Sequence, residues 1–202
     1  MNRKVAAAAA GITAGIVVSQ RVKPMPCPYS QRWMLEIPRP YLEPEALLDA
    51  LRPEPGEDVL ELGPGVGHHS LAVARQLEPD GTLHAFDLQQ KMLDELMRRA
   101  AREGVMNVEP RQGDARELPY DDGSFDAAFL ITVLGEIPDQ EAALRDLHRV
   151  IRPAGRLVIG EILFDPHFVR FSTLRRRAEA AGFRFDRRRG PAIAFQSVFV
   201  RD

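Results

Sequence analysis

An α/β fold built on a parallel sheet is what the sequence predicts, and three observations carry it. Short apolar runs at 59–62, 82–86 and 125–132 read as buried strands. Stretches with apolar residues at helical spacing separate them, the clearest being 89–103, where Met92, Leu93, Leu96, Met97 and Ala100 share one side. A glycine-rich turn, Gly63-Pro64-Gly65-Val66-Gly67, follows the first run directly. Strands alternating with helices of this length make βαβ units, whose parallel sheet is covered on both faces.

Taken in order, the chain opens unusually. No charge occurs between Lys4 and Arg21, and 5–18 is an alanine-rich apolar run flanked by Arg3, Lys4, Arg21 and Lys23. It is shorter than the ~20 apolar residues that a spanning helix needs. Three readings stay open for residues 1–21: peripheral docking of an apolar helix at a membrane interface, a secretion signal with Val17-Val18-Ser19 as its cleavage context, or a helix lying on the domain or a frayed end. Five prolines then fall between 22 and 40, with Cys27, Tyr29 and Trp33 among them. Proline removes donors and fixes φ, so this is expected to be an ordered but irregular arm. Pro44, between Glu43 and Glu45, opens a short helix to Leu51, and Pro53-Glu54-Pro55-Gly56 breaks it. Residues 22–50 are thus read as an N-terminal arm or cap and 51–202 as the main domain.

Within that domain, 68–77 reads as a short helix and 79–81 as a turn. The helix at 89–103 stops at Gly104, and 107–112 is a short strand. A helix at 140–151, ended by Pro153 and Gly155, leads to a strand at 156–163. A helix at 168–181 ends at Gly182, and 183–187 with 193–200 look like a closing strand pair. At 45% hydrophobic and 28% charged, the chain has enough apolar side chain for a real core. A net charge of −2 argues against bulk attraction to nucleic acid. Cys27 is the single cysteine, which excludes an intrachain disulfide and a cysteine-only zinc site. The cytoplasm is the default compartment.

In a sheet of this kind the ligand belongs beyond the carboxyl ends of the strands, where the glycine turn lies. Two ligand classes compete for it. A dinucleotide site has G-x-G-x-x-G and an acid about 20 residues on. Here the glycines fall at 63, 65 and 67, so the third comes one place early, while Asp87 suits a ribose in either class. Two further acids separate the classes. Glu61, two residues ahead of the first glycine, would repel a pyrophosphate and attract a cation. Asp114 follows the third strand, where a carboxylate can accept from an adenine amine. S-adenosylmethionine carries a sulfonium, an ammonium, a ribose and an adenine, and no phosphate. The three acids match it piece by piece.

Glu61-Leu-Gly-Pro-Gly-Val-Gly67, Asp87, Gly113-Asp114-Ala115, Ser124-Phe125-Asp126 and Arg152-Pro-Ala-Gly-Arg156 together resemble the ordered motifs of class I S-adenosylmethionine-dependent methyltransferases. The closest flavour is the small-molecule group that includes the ubiquinone and menaquinone biosynthesis methyltransferases, over roughly residue 51 to the C-terminus. The resemblance implies a Rossmann-like three-layer sandwich with a seven-stranded, mostly parallel sheet whose last strand is antiparallel. It implies backbone contacts to the methionyl and ribose part from Gly63, Gly65 and Gly67, with Glu61 near the methionyl amine. Asp87 would take the ribose hydroxyls with Leu88 beside the adenine, Asp114 and Ala115 the adenine edge, and Ile131 and Thr132 the sulfonium. Many of these relatives carry a histidine pair after the fourth strand; this chain has Leu134-Gly135-Glu136.

An activated donor needs mainly alignment and exclusion of water, and a base only where the acceptor arrives protonated. Glu136 is the first candidate base, with Glu161 and His167 behind it. The arm, with Tyr29, Trp33 and Tyr41, is expected to close over a small-molecule acceptor. His68 and His69 fit the first turn of a helix better than a ligand contact, and His148 has no spaced partners for a metal. The arginine runs at 175–177 and 187–189 read as solvated faces, with an RNA or anionic-lipid patch as the sharper alternative. A nucleic-acid or protein methyltransferase, or a non-catalytic donor-binding protein, are the competing functions.

Overall fold

The computed structural model describes residues 24–36 and 41–202, so the apolar segment 1–21 lies outside the described residues. Seven strands, β1 (Asp58–Leu62), β2 (Thr82–Asp87), β3 (Val108–Gln112), β4 (Phe125–Ile131), β5 (Ile151–Ile162), β6 (Phe183–Arg189) and β7 (Ala194–Arg201), form one sheet in the order β3-β2-β1-β4-β5-β7-β6. The first five pair in parallel, and β7 runs antiparallel to both β5 and β6. This is the expected seven-stranded, Rossmann-like arrangement. Strand order reverses between β1 and β4, which opens a crevice at their carboxyl ends.

Helices α1 (Pro44–Leu51), α2 (Ser70–Leu77) and α3 (Gln90–Glu103) cover one face of the sheet, while α4 (Gln140–Val150) and α5 (Phe171–Ala180) cover the other. Alternation along β1 feeds both cores: Val59 packs with the first group, Leu60 and Leu62 with the second. The α3 stripe buries Met92, Leu93, Leu96 and Ala100, and the helix ends as expected at Gly104, whose φ of 68° suits a residue without Cβ. Helix α1, grouped with the arm in the sequence reading, is built into the main core through Leu47, Ala50 and Leu51.

Some expected boundaries shift. The arm is not wholly irregular: Tyr29–Glu36 is a 3₁₀ helix. The prolines lie at 24, 26, 28, 38 and 40 and leave this stretch clear, with the Gln31 amide bonded to the Pro28 carbonyl. The strand expected at 156–163 begins at Ile151, immediately after α4. Ile151 pairs with Phe125, residues 152–155 bulge out, and pairing resumes with Arg156 opposite Ala127. Pro153 is tolerated there because a bulge asks for no ladder donor. Helix α2 starts at Ser70 rather than His68, and α5 at Phe171 rather than 168.

Two of the motif blocks serve the opposite end of the sheet from the glycines. The Asp126 carboxylate accepts from the Asp58 amide at 2.8 Å and pairs with Arg152 at 2.6 Å. Arg156 grips Glu57, and the Leu51 and Arg52 carbonyls. The arginine runs are largely paired surface: Arg175 with Glu179, Arg177 with Glu141, Arg184 with Asp202 and Arg189 with Asp49. That is the solvated-face reading. Arginines along β6 and Pro110 on β3 also blunt the two sheet edges against further strand pairing.

Candidate active site

A cavity of about 300 Å³ lies at the carboxyl ends of β1, β2 and β4, roofed by the arm. The turn after β1 forms its floor. Gly63, Gly65 and Gly67 all have positive φ, at 67°, 54° and 84°. A Cβ on Gly65 would stand 2.8 Å from Leu35 Cδ1, so the bare backbone here also lets the arm pack down.

Glu61 does not line the cavity. It stands one strand position before Leu62, between Ala85 of β2 and Phe129 of β4, and is 3% exposed. Burial raises its carboxyl pKa to about 8; the Ser70 hydroxyl opposes the rise and the nearby Asp87 carboxylate adds to it. Among the described residues its Oε2 has no hydrogen-bond partner. A buried, unpartnered carboxylate oxygen is costly, and a cation bound near the loop would offset that cost.

Asp87 ends β2 and lines the cavity, with burial raising its pKa. Its Oδ1 accepts from the Gln89 amide at 2.8 Å, which fixes the carboxylate at the strand end. Leu88 is half-exposed on the same wall. Gln89 reaches the other way, its Nε2 donating to the Cys27 carbonyl of the arm at 2.9 Å. Asp114 also lines the cavity, but its carboxylate is gripped by Arg116 at 2.6 Å and by the Arg116 amide, which holds its pKa below the usual range. It is therefore both a turn-former and a candidate adenine contact, and Arg116, absent from the sequence reading, joins the wall beside Ala115.

Ile131 and Thr132 form the back wall, both almost buried. Thr132 has φ 57°, and a β-branched residue in the left-handed region is strained. Such strain at the end of a central strand, facing a cavity, is characteristic of functional sites.

Glu136 follows β4 in a short 3₁₀ turn and lines the far end with Asp165 and His167. Glu161 lies behind that end without lining it. Its Oε2 accepts from the Val169 amide at 3.0 Å, while burial, and then the Asp165 and Glu136 carboxylates, raise its pKa well above the ordinary range. His68 and His69 precede α2 and line the cavity rather than decorating the helix. His69 Nε2 donates to the Leu42 carbonyl at 2.6 Å.

The roof differs from the aromatic lid expected. Trp33 and Tyr41 are 62% and 56% exposed and do not line the cavity, and Tyr29 turns to Glu95 of α3 at 3.4 Å. Met25, Met34 and Leu35 cover it instead. Proline spacing in the arm said nothing of which 3₁₀ face would turn inward. Ser70 escaped the sequence reading as well, since nothing in its neighbourhood marks a buried serine.

Known proteins resemble this chain in sequence and in fold. Residues 59–155 match the family model described as a methyltransferase domain, just under half of the chain. An uncharacterized 37.1 kDa protein in a transposon of Streptomyces fradiae is 41% identical over 119 residues, 59% of this chain and 34% of the relative. Demethylmenaquinone methyltransferase of Lactobacillus johnsonii is 34% identical over 112 residues, 55% of this chain and 46% of that enzyme. The aligned region thus spans less than half of either relative. A solved S-adenosylmethionine-dependent methyltransferase from Aquifex aeolicus superposes with a TM-score of 0.79 over 88% of this chain and 100% of the other, at 22% identity, a likeness of fold. The resemblance to class I S-adenosylmethionine-dependent methyltransferases carried by the motifs is borne out.

Proposed function

We propose that this chain transfers a methyl group from S-adenosylmethionine to a small-molecule acceptor. The observation that carries the reading is the buried Glu61 carboxylate with an unpartnered oxygen, behind a glycine turn that opens onto a cavity walled by Asp87 and Asp114. A dinucleotide would bring a dianion to that turn, against Asp87 and against ionisation of Glu61. An ammonium ion meets the opposite field, so these residues fit the donor.

Glu61, acting through the field beneath the 63–67 turn, favours the methionyl ammonium. Asp87 accepts from the ribose hydroxyls, Leu88 and Ala115 flank the adenine, and Asp114 accepts from its amine while Arg116 holds the carboxylate in place. Ile131 and Thr132 shape the wall at the sulfonium. The bound donor supplies an activated methyl group, so this chain contributes alignment and dryness. Met25, Met34 and Leu35 exclude water from above. Glu136 is the group we assign to take the acceptor's proton where the acceptor arrives protonated, with the buried Glu161 carboxyl behind it, its pKa raised by burial. We assign residues 51–202 as the catalytic domain and 22–50 as its N-terminal extension, whose arm caps the cavity and whose α1 belongs to the domain core.

Arm side chains and the 136–138 and 165–167 loops enclose the acceptor end. An enclosed end suits a small molecule better than a polymer, and most arginines of the basic runs are paired with acids. Among the described residues no helix is long and apolar enough to cross a membrane. The test is incubation with methyl-labelled donor and cell extract. Label in a small organic product supports the reading; label only in RNA or protein, or none with the donor bound, overturns it.

A further inference from the structure

Large apolar side chains on the surface of this protein are not scattered. Among the described residues nine are exposed, and apart from Met106 each lies on the arm, just before α1, or in a loop at the carboxyl end of β2 or β5 or at the facing start of β7. Met25, Met34 and Leu88 line the cavity itself. Leu163 and Phe164 follow β5, Ile193 precedes β7, and the Leu163 amide bonds the Ile193 carbonyl at 2.7 Å, so the two loops form one apolar tip. Phe164 is 86% exposed. The Tyr41 carbonyl, before α1, accepts from Gln196 Nε2 of β7 at 3.0 Å. Asp165 to His167, next along from Phe164, reach the cavity wall.

An apolar patch concentrated around a pocket mouth marks an interaction surface. We propose that this face docks on an anionic lipid bilayer, with Phe164, Leu163 and Ile193 entering the acyl boundary. Charge supports that occupant. Arg188 stands at the end of β6 beside the turn that leads to Ile193, Arg170 opens α5 after the Phe164 loop, and both are exposed, while Arg189 next to Arg188 is tied to Asp49. Arg188 lies over the rings of Phe171 and Phe195 rather than facing an acid. The chain leading to the arm matches this too. Pro24 lines the cavity, and the sequence ahead of it is an apolar run between two basic pairs. Apolar insertion ringed by cations is the chemistry of interfacial binding. An acceptor dissolved in the bilayer would then meet the cavity mouth directly; that consequence rests on the methyl-transfer reading, whereas docking does not.

The experiment uses the full chain with phosphatidylcholine–phosphatidylglycerol vesicles, pure phosphatidylcholine vesicles as the charge control, and the single tryptophan, Trp33, as reporter. The expected result is co-sedimentation with the anionic vesicles, a blue shift of Trp33 emission and quenching by brominated acyl chains. The double variant Phe164→Glu, Ile193→Glu should bind vesicles about tenfold more weakly or worse, while Met106→Glu binds as the parent does. Donor affinity by calorimetry should be unchanged in both, which shows them folded and separates docking from donor binding. Three results would overturn the proposal: no vesicle binding, binding unaffected by the double variant, or a lipid-independent homodimer that the double variant splits.

Discussion

Donor binding should be strongly dependent on pH, with Glu61 as the cause. Burial holds its pKa at about 8 in the free protein, so at pH 6 only about one molecule in a hundred carries the charged carboxylate, and at pH 8 about half do. A cation bound above it favours the ionised form, so donor binding must expel that proton. Below about pH 7 the apparent affinity should climb by nearly tenfold per pH unit, about 1.4 kcal/mol each. Above it the donor's own amine begins to lose its charge, with an ordinary α-amino pKa of about 8. The curve should therefore peak near pH 8. Calorimetry in buffers of different ionisation enthalpy adds a count: about 0.8 proton released net per donor at pH 7, falling to none at the peak. Glu61→Gln should bind more weakly at the peak and lose the slope. 5′-Methylthioadenosine, which has the same nucleoside and no ammonium, should bind without the climb even to the parent protein. A flat profile for the parent, or the same slope in Glu61→Gln, would refute the reasoning.

Other perturbations probe separate parts of the site. Glu161 is buried with its pKa raised, so the folded chain holds a proton that the unfolded chain releases above about pH 4.5. Its stabilising contribution is present at low pH and is lost as pH rises through the folded pKa; Glu161→Gln should accordingly melt several degrees higher than the parent at pH 9 and close to it at pH 5, by thermal denaturation. Gly65→Ala forces a Cβ onto a residue with φ 54° and against Leu35, which should cost about 1–2 kcal/mol and weaken donor binding, with Leu35→Ala partly restoring it. Asp87→Ala should lower donor affinity at every pH without abolishing the pH slope, since Glu61 remains; unchanged affinity would remove Asp87 from the ribose site. Once an acceptor is in hand, Glu136→Gln should lower kcat with little change in acceptor KM, and a change confined to KM would make Glu136 a binding group.

Much of the core was legible because local and global signals agreed. The apolar runs, the α3 stripe and the Gly104 stop each suit the place they occupy. The glycine turn and the acids at the strand ends were legible because each residue type has a chemical reason to stand where it does. The misses are long-range. No local pattern tells that Leu35 packs on Gly65, that Ser70 faces Glu61, or that Gln89 ties β2 to the arm at Cys27. Proline spacing hid the 3₁₀ helix, and aromatic side chains drew attention to a lid that methionine and leucine in fact build. Pro153 and Gly155, read as ending a helix, instead shape a bulge inside β5. Asp114 shows the limit of reading a residue by type, since Arg116 two positions on sets its orientation and its charge.

On the reading proposed above, the cavity above Glu61 holds a cationic methyl donor and not a dinucleotide. Titration calorimetry of the full chain at pH 8 with S-adenosylmethionine and, separately, with NAD tests it directly. The expected result is one S-adenosylmethionine site per chain, weakened in Glu61→Gln and in Asp87→Ala, with no heat from NAD. Saturable NAD binding that excludes S-adenosylmethionine would contradict it.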